Sequence, residues 1–276
     1  MKWVLLSFVL ILIACKQNTP EYKGFSDAFT YKFIALGEED PILEGQTILA
    51  NLIITSLSND TIHYVPDYPY FFRVGKTPFD SLLRQFKLED SIVIRASRAD
   101  FLERFNFFQL AQSKEDTVLM HFKIIKALNA EEVNDEKQKI LSLREIKEQE
   151  KLIEFLTKNE NEFENLEGIY RKVLSTTNGN KILNGSEVSL HYCGKFLDGF
   201  VFDNTYQKGM TPSFTYGKEY QLLEGIQIGL KGLKEGETAK IILPSQLAFR
   251  EGGSLAGIVP PFTAVIFEIE IIKVIN

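Results

Sequence analysis

Two stretches of this 276-residue chain carry their apolar residues in the same order, so whatever fold suits one must also suit the other. The first runs from Tyr31 through Pro41-Ile42-Leu43-Glu44-Gly45 to Ile48, and the second from Tyr170 through Lys181-Ile182-Leu183-Asn184-Gly185 to Val188. Phe72, Gly75 and Lys76 then answer Phe214, Gly217 and Lys218, and residues 117–126 answer 264–273. Matching order over about 100 residues points to a duplicated domain, the alternative being chance agreement between two β-rich domains.

The pattern within each copy is that of strands. Phe267, Ile269 and Ile271 alternate with Glu268 and Glu270, the period of a half-buried strand. Residues 186–192, 201–203, 212–216 and 238–243 read similarly, separated by turns such as Asp198-Gly199 and Glu235-Gly236. Residues 221–230 read as one short helix with Leu222, Leu223, Ile226 and Leu230 on one side. A short helix against an antiparallel sheet is an α+β plan. Between the copies, residues 130–167 are rich in Glu, Lys and Gln, and Ile140, Leu141, Leu143, Ile146, Leu152, Ile153, Phe155 and Leu156 recur at helical spacing. That stretch reads either as a solvated connector or as a helix for dimerisation or for cradling another protein. The expected organisation is thus a first domain over 30–129, a helical linker over 130–167 and a second domain over 168–276.

At 45% hydrophobic and 25% charged residues, the chain is too apolar to be disordered throughout. A formal net charge of −6 disfavours nucleic acid and anionic membrane surfaces, both of which need clustered Lys and Arg. With two cysteines, Cys15 and Cys193, and three histidines, there is little material for a metal site or a disulfide framework.

The first cysteine has a different reading. Met1-Lys2 is followed by an uncharged apolar run over residues 3–13, too short to span a bilayer and suited to the apolar region of a signal peptide. Its end, Leu12-Ile13-Ala14-Cys15, resembles a bacterial lipobox, which implies cleavage after residue 14 and acylation of Cys15. Residues 15–29, polar and containing Pro20 and Gly24, then read as a lipidated tether. Lys16 stands where an Asp would resemble an inner-membrane retention signal, so the resemblance implies the periplasmic face of the outer membrane. An ordinary signal peptide with an incidental Cys is the alternative.

From Gly185 to the end, the chain resembles the FKBP-type peptidyl-prolyl isomerases. The carriers are His191-Tyr192-Cys193-Gly194, Asp198-Gly199, Phe202-Asp203, Phe214 with Gly217, and Leu222-Leu223-Glu224-Gly225 leading to Gly229-Leu230. They continue through Gly236-Glu237, Pro244-Ser245-Gln246-Leu247-Ala248-Phe249 and Gly257-Ile258-Val259-Pro260-Pro261. The implied activity is rotation about prolyl bonds, which needs no nucleophile, metal or cofactor. The barrier of about 18–20 kcal/mol arises from amide resonance, so a pocket that favours the twisted, less dipolar amide is a sufficient catalyst. By resemblance the catalytic positions are Tyr192, Phe202, Asp203 and Phe249, with Phe214, Leu222, Leu223, Ile226, Ile258 and Phe267 binding substrate. Asp203 would pair with the Tyr192 hydroxyl, and the Leu223 N–H would hold a substrate carbonyl. The helix residues also suit a plain core role, as does Phe267.

Three positions depart from the family: Ile226 where a Trp forms the pocket floor, Phe249 where a Tyr hydroxyl is common, and Pro212 at an aromatic wall position. Arg250 replaces a common Gly, and Leu255 lies in the loop over the pocket. Cys193 and His191 read as strand residues. The first copy has Leu52 in place of Tyr192 and no Phe-Asp pair near His63-Tyr64, so it is expected to keep the core without the pocket. Its aromatics, including Tyr64, Tyr68, Tyr70, Phe71, Phe105, Phe107 and Phe108, suit either a core or an exposed binding patch. The function implied is a lipid-anchored isomerase of the cell envelope acting on proline-containing polypeptides that are unfolded or folding, with a homodimer through the linker helix as a further expectation. Alternatives are a non-catalytic chaperone or scaffold lipoprotein, and an assembly subunit of an envelope complex.

Overall fold

The computed structural model describes residues 21–37, 40–105, 107–159, 162–255 and 257–276. The chain forms β1 (Lys23–Gly24), β2 (Thr30–Ala35), β3 (Thr47–Thr55), β4 (Thr61–Tyr64), β5 (Tyr70–Arg73), α1 (Pro78–Leu83), β6 (Ser91–Ser97), α2 (Arg98–Leu102), α3 (Phe108–Gln112) and β7 (Thr117–Leu128). The long α4 (Glu132–Lys158) follows. Then come β8 (Glu164–Leu166), β9 (Ile169–Ser175), β10 (Glu187–Phe196), β11 (Val201–Asn204), β12 (Ser213–Thr215), α5 (Glu224–Leu230), β13 (Thr238–Leu243), 3₁₀ turns at Ser245–Leu247 and Arg250–Gly252, and β14 (Val265–Ile275).

The two sheets have one topology. The first runs β1-β2-β6-β7-β3-β4 with β5 also on β3, and the second runs β8-β9-β13-β14-β10-β11 with β12 also on β10. Adding seven to each strand number of the first yields the second. The registers agree residue by residue: Ile48 faces Phe72 and Ala127, and Val188 faces Phe214 and Val274. Even the irregularity recurs, between Leu49 and Ala50 in one copy and between Ser189 and Leu190 in the other. A buried carboxylate repeats as well. Asp90 accepts the backbone N–H groups of Gly37 and Lys87, as Glu237 accepts those of Thr177 and Lys234. The chain is therefore α+β and internally duplicated.

Alternation explains the shared architecture. Val118, Met120, Phe122 and Ile124 of β7 point into the first core, and Val265, Phe267, Ile269 and Ile271 of β14 into the second. In the second domain α5 lies close on the sheet because two of its residues lack a Cβ. A Cβ at Gly229 would sit 2.5 Å from the Ile241 side chain, and one at Gly225 2.9 Å from the Leu247 carbonyl oxygen.

The element boundaries differ from the sequence reading in three places. The first sheet takes in part of the expected tether, since β1 pairs with β2 and Phe29 is buried. β8 forms within the expected linker and pairs with β9. Strands of two or three residues are too short to show a period. The short helix starts at Glu224, leaving Leu222 and Leu223 ahead of its first turn.

α4 is one continuous helix of 27 residues, about 40 Å long at 1.5 Å per residue. Most of it faces solvent, with Arg144 buried. The Arg144 guanidinium donates to the carbonyls of Pro66 (3.2 Å) and Asp67 (2.6 Å) in the first domain. It also donates to the Pro261 carbonyl (2.9 Å) and Thr263 Oγ1 (2.7 Å) in the second. One side chain thus ties both domains to the linker.

Candidate active site

Four elements of the second sheet and two loops converge on a cavity of about 390 Å³. β10 contributes Leu190 and Tyr192, β14 contributes Phe267 and Ile269, β11 contributes Phe202 and Asp203, and β12 contributes Phe214. Leu222, Leu223 and Ile226 close one side at the start of α5, and Phe249 closes another from between the two 3₁₀ turns.

The aromatic walls pack edge to face. Tyr192 meets Phe267 at 5.6 Å between ring centroids, Phe202 meets Phe267 at 5.9 Å, and Phe202 meets Phe249 at 6.5 Å. Gly194 makes this possible, because a Cβ there would sit 2.7 Å from the Phe202 ring. The polar groups are few. The Tyr192 hydroxyl donates to Asp203 Oδ2 at 2.9 Å, and Lys208 Nζ lies 2.5 Å from Asp203 Oδ1. Burial, and then the bonded Asp203 carboxylate, raise the Tyr192 phenol well above its ordinary range, so it stays a donor at neutral pH. Leu223 sits at the N-cap of α5, where backbone N–H groups have no intrahelical acceptor.

A family model described as FKBP-type peptidyl-prolyl cis-trans isomerase matches residues 179–272. The FK506-binding protein of Neisseria meningitidis serogroup C is 33% identical over 96 residues, covering 35% of this chain and 86% of that protein. The chain belongs to the FKBP-type peptidyl-prolyl cis-trans isomerases. A Saccharomyces cerevisiae peptidyl-prolyl cis-trans isomerase is 35% identical over 95 residues, covering 34% of this chain and 69% of that one. The crystal structure of FkpA from Escherichia coli aligns with a TM-score of 0.45 at 26% identity, over 51% of this chain and 63% of that one.

Nine of the ten expected pocket residues of this isomerase line one cavity. Ile258 does not: it packs against the core from the loop before β14. Leu190, Pro212, Ser213, Gln221 and Ile269 line the cavity as well. Leu190 and Ile269 lie two residues from Tyr192 and Phe267, so strand alternation alone could have found them. Ser213 opens β12, a strand of three residues and too short to show a period, and Gln221 comes from irregular chain. Arg250, where the family often has Gly, adopts φ 57°, a left-handed conformation that costs a side-chain residue and suits glycine. Cys193 follows Tyr192 on β10 and so points to the other face, and burial raises its thiol pKa. His191 stacks on Tyr206 at 4.2 Å and is absent from the cavity walls. Cys15 lies outside the described residues.

In the first copy the positions that match the pocket residues carry different side chains. Leu52 faces Phe122 as Tyr192 faces Ile269, and His63 faces Ile54 as Asp203 faces Gly194. Ile54, fully buried, thus carries a side chain at the position where Gly194 has none. His63 donates from Nδ1 to Gln109 Oε1 (2.8 Å), accepts from the Tyr70 hydroxyl at Nε2 (2.5 Å), and stacks on Phe107 at 4.2 Å. Burial lowers its pKa to about 4, so it is neutral. Phe105 is core and Tyr70 and Phe107 pack against it, whereas Tyr68 lies under the Arg144 guanidinium and Phe71 under the Lys137 ammonium. The Phe108 side chain lies outside the described residues.

Proposed function

We propose that this isomerase turns prolyl bonds of polypeptides folding in the cell envelope, holding the bond in the cavity of the second domain. The observation that carries the site assignment is the cavity itself: aromatic and aliphatic walls with one hydrogen-bonded carboxylate, Asp203, at its side. The planar amide is more dipolar than the twisted one, so apolar walls such as Phe202, Phe249 and Phe267 disfavour the ground state relative to the transition state. The Leu223 N–H holds a substrate carbonyl. Tyr192 fixes Asp203 so that its charge lies at one wall as the substrate carbonyl rotates. The departures at Ile226 and Phe249 widen the floor and remove one hydroxyl, which weakens ground-state affinity more than rotation.

A protease-coupled assay with a short proline peptide tests this. Phe202→Ala and Asp203→Ala are each expected to lower kcat/KM by roughly tenfold or more, about 1.4 kcal/mol of transition-state stabilisation. Wild-type rates in both variants overturn the assignment.

The envelope part of the reading is supported by residues 1–15. A short apolar run ending in Ala14-Cys15 suits acylation of Cys15, and multiple acyl chains hold a protein on a membrane without crossing it. Cys15→Ser is expected to move the protein from the detergent-rich to the aqueous phase on detergent partitioning. Equal partitioning of both forms counts against the anchor.

A further inference from the structure

β4 and β11 hold the same place in their two sheets, each at the end of the strand order with a neighbour on one side only among the described residues. Each therefore presents a backbone edge able to take another strand. The two edges face one another across the domain boundary. Tyr64, the last residue of β4, meets Phe200 edge to face at 5.4 Å. Beside that contact the edges part around a cavity of about 890 Å³, bounded by Thr61, Gln109 and Gln112 on one side and by Val201, Asn204 and Gln207 on the other. Phe202 and Asp203 belong to the walls of this cleft and of the prolyl pocket alike, so the two adjoin.

We infer that the cleft holds the extended polypeptide adjoining the isomerising proline, added as a strand along β11. The inference rests on the pocket assignment made above. A chain seated with its proline against Phe202 has its neighbouring residues delivered into the cleft by that shared wall. Strand addition at an edge draws affinity from main-chain hydrogen bonds, which every client offers whatever its side chains. Part of the remaining lining, which also holds Asp60, Lys114 and Lys208, fits such a client: carboxamides both donate and accept, and Gln109, Gln112, Asn204 and Gln207 supply four of them. Gln109 Oε1 is engaged by His63, and Asn204 Oδ1 accepts the backbone N–H groups of Tyr206 and Gln207, whereas Gln112 and Gln207 lie exposed on the two cleft walls. The first copy thereby contributes one wall of a substrate channel.

The test is competition in the protease-coupled assay on the intact protein, comparing a short proline peptide with the same peptide extended on its N-terminal or its C-terminal side. One extension is expected to lower the inhibition constant roughly tenfold, about 1.4 kcal/mol. Methylating the backbone amides of that extension is expected to abolish the gain. Thr61→Trp and Gln112→Trp, both at exposed positions outside the prolyl pocket, are expected to abolish it too and to leave kcat/KM for the short peptide unchanged. Equal inhibition by short and extended peptides overturns the inference, as does a gain that survives either the substitutions or the methylation. Failure of the pocket assignment reads differently, as short-peptide turnover indifferent to Phe202→Ala.

Discussion

Glu148 on α4 accepts both the backbone N–H of Ser245 (2.6 Å) and its hydroxyl (2.5 Å). Ser245 is fully buried and opens the 3₁₀ turn that leads to Phe249 in the pocket wall. The linker helix thus holds a catalytic-domain loop in place. Glu148→Ala leaves two buried donors unpaired, at a cost of about 1–3 kcal/mol each. Its expected effect is a several-fold loss of kcat/KM through misplacement of Phe249, with partial recovery in Glu148→Gln, which keeps one acceptor. Equal kinetics for both variants and the wild type would show that the contact has no bearing on the pocket.

Arg144, one turn earlier on α4, joins Pro66 and Asp67 to Pro261 and Thr263. Hydrogen bonds to a charged group contribute about 1.5–3 kcal/mol each. Arg144→Met is expected to uncouple the domains, so that urea unfolding followed by two probes, one per domain, splits into separate transitions. Coincident transitions at the wild-type midpoint would refute a coupling role.

Gly194 has room for no side chain beneath Phe202. Gly194→Ala is expected to push the Phe202 ring into the cavity and reduce kcat/KM by roughly tenfold, while the protein keeps its sheet. Circular dichroism and the protease-coupled assay together check this. Unchanged turnover would mean that the ring relocates without narrowing the pocket.

His63 makes stability pH-dependent. Its pKa falls from the ordinary 6.5 to about 4 because burial disfavours the imidazolium. Below pH 6.5 the unfolded chain binds a proton that the folded one refuses, so this contribution is fully present above pH 6.5. It is lost as pH falls toward 4, at a cost of about 3 kcal/mol. His63→Leu is expected to be less stable at pH 7, because Gln109 and Tyr70 lose their partner, and to show a shallower loss between pH 6.5 and 4. Parallel pH profiles from denaturant titrations would remove His63 from the account.

The candidate site was legible where the pocket stands on regular strands. The resemblance named Tyr192, Phe202, Phe214 and Phe267 together, and strand alternation on β10 and β14 aims Tyr192 and Phe267 into the same cavity. Ile258 stands off these strands, in a loop that runs through glycines at positive φ, Gly253 and Gly257, whose path no periodicity records. The tether and linker boundaries erred for a related reason, since β1 and β8 exist only by pairing with a longer neighbour.

Local pattern was sufficient for the duplication and for the α+β plan shared by its two copies. Side-chain alternation and glycine turns act within a strand or between adjacent strands, and the two copies repeat them. The tertiary structure alone decided that His63 stands where Asp203 does, that Arg144 and Glu148 grip loops of the second domain, and that β4 faces β11 across a cleft. Those relationships join residues far apart in the chain, and they depend on how two finished domains pack against one helix. That packing is set by buried hydrogen bonds and matched shapes, which leave no period in the sequence.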